Sequence, residues 1–301
     1  MIRRQRSTSS GRPVRRLFLW FRRRGHSAVG PRGRARPRRI RRRPPSPAPW
    51  PTCTWPSARR PERARRYRGR DAAERQAERR ERLLRTGLEL FGTVGYAGVS
   101  VKQVCQASGL TERYFYESFS DREDLLTSVY DEQIARLQEA TIIALGEADE
   151  TIEAQAHAGV DTFIRTLAGD PRVARVVFIE VVGVSPALEL RRRTVMREFA
   201  QVIVGIAVQH FGRPANHRLT LASTLFVGGL SELMIDWIPG YSDVPADDGG
   251  VSAKDEGITV EQLVDLATTL LVFAFELLRD EPEDVGRDRP AEAGRDDPGP
   301  G

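Results

Sequence analysis

From Asp71 onward, apolar residues return at three- and four-residue spacing, the period of a helix that buries one face. Leu83, Leu84, Leu88 and Phe91 form the first stripe, with Glu and Arg between them, and Gly92, Gly95 and Gly98 break it. Ser100-Val-Lys-Gln103 is a capping box, a hydroxyl followed three residues later by an amide. It predicts a helix through Val101, Val104 and Cys105 that Gly109 stops. Thr111 is placed to cap a short helix through Tyr114, Phe115 and Phe119. Ser120-Asp-Arg-Glu123 reads as a second capping box and opens a long helix through Leu125, Leu126, Val129, Ile134 and Leu137. Beyond Gly146 the period stays helical, with helices expected near 150–168, 171–183, 186–211, 215–238 and 258–279 and a polar Pro/Gly loop at 239–257. No segment alternates with period two over a useful length, so the body is expected to be all-α.

Residues 100–119 have the spacing of helix, tight turn, helix. In that arrangement the second helix enters the DNA major groove while the first braces it across the backbone. Gly109 stands where a tight turn needs positive φ, and Leu110 and Val104 can pack the two helices together. Helical spacing puts Phe115 and Phe119 side by side in a core. Tyr114 and Tyr116 fall on other faces and, with Thr111 and Arg113, supply outward hydrogen bonding. The Arg113 fork suits O6 and N7 of guanine. Cys105 sits on the apolar side of its helix and reads as a small core residue.

Charge divides the chain unevenly. Residues 1–70 hold 24 Arg, no Lys and one acid (Glu62), about +23 by count; the whole chain carries +6, so residues 71–301 carry −17. The high overall pI therefore describes the extension and is no argument for nucleic-acid binding by the body. The extension is Arg, Pro, Ser and Gly with few aliphatics, and cannot bury enough apolar surface to offset its chain entropy. It is expected to be disordered: a DNA-clinging arm, an RNA or partner tail, or translation from a start codon placed too far upstream. Arg15-Arg16-Leu17-Phe18-Leu19 resembles a twin-arginine export motif, but Arg22, Arg23 and Arg24 interrupt the apolar stretch such a signal needs. No run is expected to reach the roughly 18 apolar residues of a membrane span. Two distant cysteines (Cys53, Cys105) and four scattered histidines make no disulfide framework and no metal set. No nucleophile–base pairing, phosphate loop or cofactor motif is present, so no enzyme activity and no cofactor are expected.

The segment from about 80 to 126, LLRTGLELFGTVGYAGVSVKQVCQASGLTERYFYESFSDREDLL, resembles the N-terminal DNA-binding domain of TetR-family transcriptional regulators. The resemblance rests on LF, GY and SV in order, then the Gly-Leu turn, Tyr-x-x-Phe and a charged residue before Glu-x-Leu. It implies a three-helix helix-turn-helix domain followed by a helical ligand-binding and dimerisation domain. Carried over by position, it puts Ser100 and Lys102 at phosphate or the groove edge. Thr111, Glu112, Arg113 and Tyr114 take the base-reading start of the recognition helix, Tyr116 a phosphate contact, and Arg122 the place of a usual Lys. Departures are Ser118, which removes a possible backbone contact, Glu112, whose charge opposes phosphate unless it pairs with Arg113, and Gly87 in place of a common Ala. That Gly87 is expected to cost about 1 kcal/mol of helix propensity.

The remaining expectations concern the second domain. Glu180 interrupts the apolar run VVFIEVVGV and must find a partner, either a cationic or hydrogen-bonding ligand or an internal Arg or backbone group. In the family the last two helices form a dimer interface, which implies that role for Leu221, Leu225, Gly228, Gly229, Leu263, Leu266, Leu270 and Ala274. The domains expected are an extension at 1–70, the DNA-binding domain at 71–125, the ligand and dimerisation domain at 126–280 and a disordered acidic tail at 281–301. The whole reads as a cytoplasmic homodimer on a pseudo-palindromic double-stranded DNA operator, a repressor released by a small-molecule effector. The alternative is a protein that associates with nucleic acid non-specifically through its Arg-rich arm.

Overall fold

A computed structural model describes residues 63–235 and 259–279, of which 63–71 and 277–279 as backbone only. Of the extension expected to be disordered at 1–70, residues 1–62 lie outside the described residues, as do the 239–257 loop and the tail from 281, whereas 63–70 are helical. Among the described residues there are helices and no strands, as the period of the apolar positions predicts.

The helices are α1 (Arg63–Thr93), α2 (Val101–Ser108), α3 (Glu112–Tyr116), α4 (Arg122–Glu147) and α5 (Ile152–Gly169). They continue with α6 (Pro171–Arg175), a π turn (Val176–Glu180), α7 (Pro186–Phe211), α8 (His217–Ile235) and α9 (Val260–Arg279). Helix α1 begins ahead of Asp71, because five of the eight residues before it are Arg, a good helix former. The expected helix at 171–183 is instead one short α turn and one π turn, closed by Gly183 at φ 71°.

Two apolar cores meet at the π turn. The head core contains Leu83, Phe91, Val104, Phe115, Phe119 and Leu125, and it also takes in Val176, Val177 and Val181. The body core is built from α5, α7, α8 and α9 around Ala156, Ile164, Ile203, Val227 and Leu271. Helix α4 runs through both, burying Leu125 and Val129 at the head end and Leu145 at the far end.

Several local expectations are corrected. Asp121, not Ser120, caps α4: its carboxylate accepts from the Asp124 amide at 2.8 Å, while the Ser120 amide donates to the Asp124 carboxylate. An ionised carboxylate competes better for the helix-end amide than the neighbouring hydroxyl. Thr111 occupies the N-cap of α3 but its hydroxyl makes no capping bond. Gly87 lies close against α4: an added Cβ would be 3.0 Å from Val129 and 3.3 Å from Leu125, so those side chains would have to give by a few tenths of an ångström. Leu263 belongs to the core of the subunit, 2% exposed, where α9 packs on α5. By length and composition one helix, α8, could cross a membrane (mean hydropathy 1.2), contrary to the expectation that no run would.

Candidate nucleic-acid interface

Helices α2 and α3 form the turn expected from the sequence. The Ser100 side chain accepts from the Gln103 amide and the Gln103 side chain accepts from the Ser100 amide at 2.8 Å, so the capping box is complete. Such a cap contributes about 1 kcal/mol. Gly109 at φ 65° ends α2, and its amide and that of Leu110 return to carbonyls of the last turn. This left-handed corner is open to glycine and strained for most other residues. It turns the chain so that Phe115 buries fully against Phe119, ring centroids 5.7 Å apart.

Of the side chains nominated for DNA, all but Arg122 are exposed. Lys102, Thr111, Glu112 and Arg113 are exposed, with Tyr114 and Tyr116 at 37% and 57%. The Tyr116 ring stands edge-on to buried Phe115 at 5.3 Å, which holds its hydroxyl outward. The Ser100 hydroxyl already donates to Gln103 Oε1 at 2.7 Å, so its phosphate-facing group is tied into the cap. Arg113 pairs with Glu117 at 3.4 Å rather than with Glu112, following the i to i+4 geometry of a helix. Arg113 is 86% exposed and can exchange that weak partner for a base edge or phosphate.

Sequence reasoning missed the residues of α1 that brace α3. The Arg79 guanidinium lies 4.4 Å from the Tyr114 ring centroid and pairs with Glu117 at 3.5 Å. Arg80 donates to the Ser118 carbonyl at 3.0 Å and stacks on Phe119 at 4.3 Å. Both cations sit at the C-terminal end of α3, where carbonyls lack helical partners. The run QAERRER gives no apolar mark to show which of its arginines turn inward.

Arg122 is half-buried and engaged within the head. Its Nη1 donates to the Val99 carbonyl at 2.5 Å and its guanidinium lies 4.1 Å over the Tyr96 ring. It therefore pins the Val94–Val99 loop that delivers Ser100, and is a positioning residue in this geometry. Cys105 is buried with its thiol pKa pushed up by burial and by nearby Glu112, which suits a packing role.

Residues 83–129, which contain every element just described from the end of α1 to the start of α4, match the bacterial regulatory proteins of the tetR family. That match covers the DNA-binding head and does not extend to the body. No curated protein sequence matches the chain. Among solved structures, the fatty acid degradation regulator FadR from Bacillus halodurans is similar at 19% identity and a TM-score of 0.53, covering 64% of this chain and 94% of that one. The transcriptional regulator FadR from Bacillus subtilis, in complex with stearoyl-CoA, is similar at 18% identity and a TM-score of 0.51, covering 65% and 97%. A putative transcriptional regulator from Pseudomonas aeruginosa PAO1 gives 18% and 0.52, covering 67% and 93%. These likenesses show that the head and the helical body share a fold with those proteins.

The body meets the head at Glu180. Its carboxylate accepts from Arg175 Nε at 2.8 Å and from the Tyr96 amide at 2.6 Å, and its side chain is 10% exposed. Arg175 also donates to the Thr93 carbonyl at 3.0 Å. The internal arginine is thus the partner present, and Glu180 lines neither cavity of the body.

Two adjacent cavities lie among the body helices. The distal one, about 60 Å3, is lined by α4, α5, α7, α8 and α9 residues such as Leu145, Gly159, Ile203 and Leu230. The proximal one, about 100 Å3, adjoins the head and is lined by Tyr130, Val177, Phe178, Arg192 and Glu232 among others. They share Phe163, Phe199 and Val227, and the first two rings meet edge-on at 5.6 Å.

Proposed function

We propose that this chain is a homodimeric repressor that reads a pseudo-palindromic operator through α2 and α3 and leaves it when a small apolar ligand enters the body. The observation that carries the proposal is the double position of the π turn. Val177 belongs to the packed core of the DNA-binding head and also lines the proximal cavity. A ligand that displaces Val177 or its neighbour Phe178 acts directly on the head, and close-packed cores pass on such a shift rather than absorb it. Effector and operator then weaken each other by the same factor.

The distal cavity is lined by apolar side chains apart from Thr141 and Gln155, and Arg192 and Glu232 line the proximal one. The Bacillus subtilis FadR structure holds stearoyl-CoA, which supports an apolar ligand here. Dimerisation is supported by the outer face of α8 and α9, where Leu225 is 75%, Leu270 54%, Leu266 50% and Leu221 49% exposed. Phe273, 64% exposed, extends that face beyond the residues inferred from sequence. Aligned leucines of this kind are the mark of an association surface. Gly229 is exposed beside them and Gly228 and Ala274 are half-buried, giving small positions where two helices can approach. The proposed place of action is the cytoplasm.

Selection of bound sequences from a random double-stranded DNA pool tests this. The expected product is an inverted repeat with half-sites a helical turn or a multiple apart. Equal retention of all sequences would favour the non-specific alternative, binding through the Arg-rich extension.

A further inference from the structure

Much of the contact between body and head is apolar, with Val176, Val177, Val181 and Leu188 packed in the head core. Apolar burial is non-directional, so it holds the two together more firmly than it fixes their angle. Hydrogen bonds are directional, and one cluster of them catches the loop between α1 and α2. Each oxygen of Glu180 has its own donor there: Oε2 takes the Tyr96 amide and Oε1 takes Arg175 Nε. Arg175 in turn donates to the Thr93 carbonyl, so the loop is held at both its amide and its carbonyl groups. Gly95, at φ 93°, leaves room for this clasp: an added Cβ would lie 3.0 Å from Arg175 Nη2 and 3.2 Å from Glu180 Oε1.

The loop held in this way delivers α2. The Tyr96 ring lies under the Arg122 guanidinium and 5.7 Å from the Phe91 ring, and Arg122 also donates to the Val99 carbonyl. Val99 directly precedes Ser100, whose side chain caps α2. A continuous run of directional contacts therefore leads from Glu180 to the start of the DNA-facing helices. Glu180 itself closes the π turn, a geometry that is rare and occurs mostly at functional sites.

Resting on the reading of the chain as a dimer on an inverted repeat, we propose that Glu180 determines which half-site spacing the dimer accepts. By holding the Tyr96 loop, its carboxylate fixes the angle of each head on its body. It is a positioning residue, acting through the loop rather than on DNA, and base choice within a half-site stays with the side chains of α3. One base pair added between half-sites turns the second by about 34° and moves it by about 3.4 Å. A head fixed at one angle cannot follow that turn. A head released from the clasp can follow it, but binds the best spacing less tightly, because its motion must then be frozen on binding.

The test uses the full chain and the inverted repeat selected from the random pool, with its spacing lengthened or shortened by one base pair. Affinity is read by fluorescence anisotropy at a temperature where circular dichroism shows each protein folded. Wild type is expected to lose about tenfold at either altered spacing. Glu180→Gln should bind the selected repeat about fivefold more weakly and lose no more than about twofold further at the altered spacings, with its half-site sequence preference unchanged. Arg175→Met removes the other side of the clasp and should behave in the same way, which decides the matter should Glu180→Gln fold poorly. Ile164→Val loosens the body core without touching the clasp and should keep the wild-type spacing preference. Clasp variants that keep the wild-type preference, or Ile164→Val broadening it as they do, overturn the assignment and leave the dimeric reading standing. A wild type that binds all the spacings equally overturns both.

Discussion

Gly92→Ala is the substitution that most sharply tests how the head sits on the body. Gly92 is in the last turn of α1, directly against α6: an added Cβ would lie 2.5 Å from Arg172 Cβ, 2.7 Å from its Cα and 2.9 Å from its carbonyl oxygen. Carbon atoms pack best at about 3.5–4.0 Å, so the helices must part by about 1 Å, and backbone cannot step aside as a side-chain tip can. Overpacking of this kind costs about 1–3 kcal/mol. Alanine returns up to about 1 kcal/mol of helix propensity, less in a terminal turn. The neighbouring Arg172–Glu89 ion pair is exposed and changes the sum little. The net expectation is a loss of about 1–2 kcal/mol, or roughly 3–6 °C in Tm. Gly159→Ala is the matched control. Its Cβ meets only Leu145 at 3.7 Å, so it should gain about 0.5–1 kcal/mol from the same chemical change in a helix. Paired urea and thermal unfolding read both variants. If Gly92→Ala stabilises as Gly159→Ala does, α1 and α6 are not in this contact and the account of head–body docking is wrong.

Three further perturbations separate the remaining parts of the account. Glu180→Gln puts an amide donor against Arg175 or the Tyr96 amide and should cost about 2 kcal/mol in urea unfolding, whereas an unchanged midpoint would mean that the clasp is not formed. Leu225→Glu with Leu270→Glu places charges on two exposed positions of the α8–α9 face; sedimentation should show monomers that retain helical circular dichroism, and a persistent dimer would move the interface elsewhere. Asp170 caps α6 and bonds Arg172, which holds its carboxyl below the ordinary value of 3.8. A depressed folded-state pKa means that its stabilisation is present above pH 3.8 and lost as pH falls through the lowered value. The difference in urea midpoint between wild type and Asp170→Asn should therefore hold at pH 5–6 and close on acidification; a difference that grows instead would refute the sign.

The head was legible because its local signals are strong and agree. The Ser100 box, the Gly109 corner and the Phe115–Phe119 pair each demand one geometry, and the structure has all three. What the pattern could not supply was the choice between chemically competent neighbours. Ser120 and Asp121 can both cap α4, and it is the Asp121 carboxylate that takes the Asp124 amide. Arg79, Arg80 and Arg122 look like solvated charges in the sequence, yet their guanidiniums lie over Tyr114, Phe119 and Tyr96. Gly87 reads as a weak helix residue until α4 is seen against it. In the body, helical period located the elements but not which apolar face turns inward, so Leu263 was placed on the outer face although it is buried. The π turn has no period of its own and was read as continuous helix.

The central claim is that the exposed face of α2 and α3 reads DNA. Its most direct test is the affinity of the full chain, Tyr116→Ala and Arg113→Ala for the selected inverted repeat and a scrambled copy, with salt stepped from about 50 to about 200 mM. The account predicts selective binding by wild type that survives the higher salt. Tyr116→Ala should weaken both DNAs alike, and Arg113→Ala should lose preference for the repeat, by about 1–3 kcal/mol. Equal binding of both DNAs by all three proteins, collapsing together as salt rises, would contradict it.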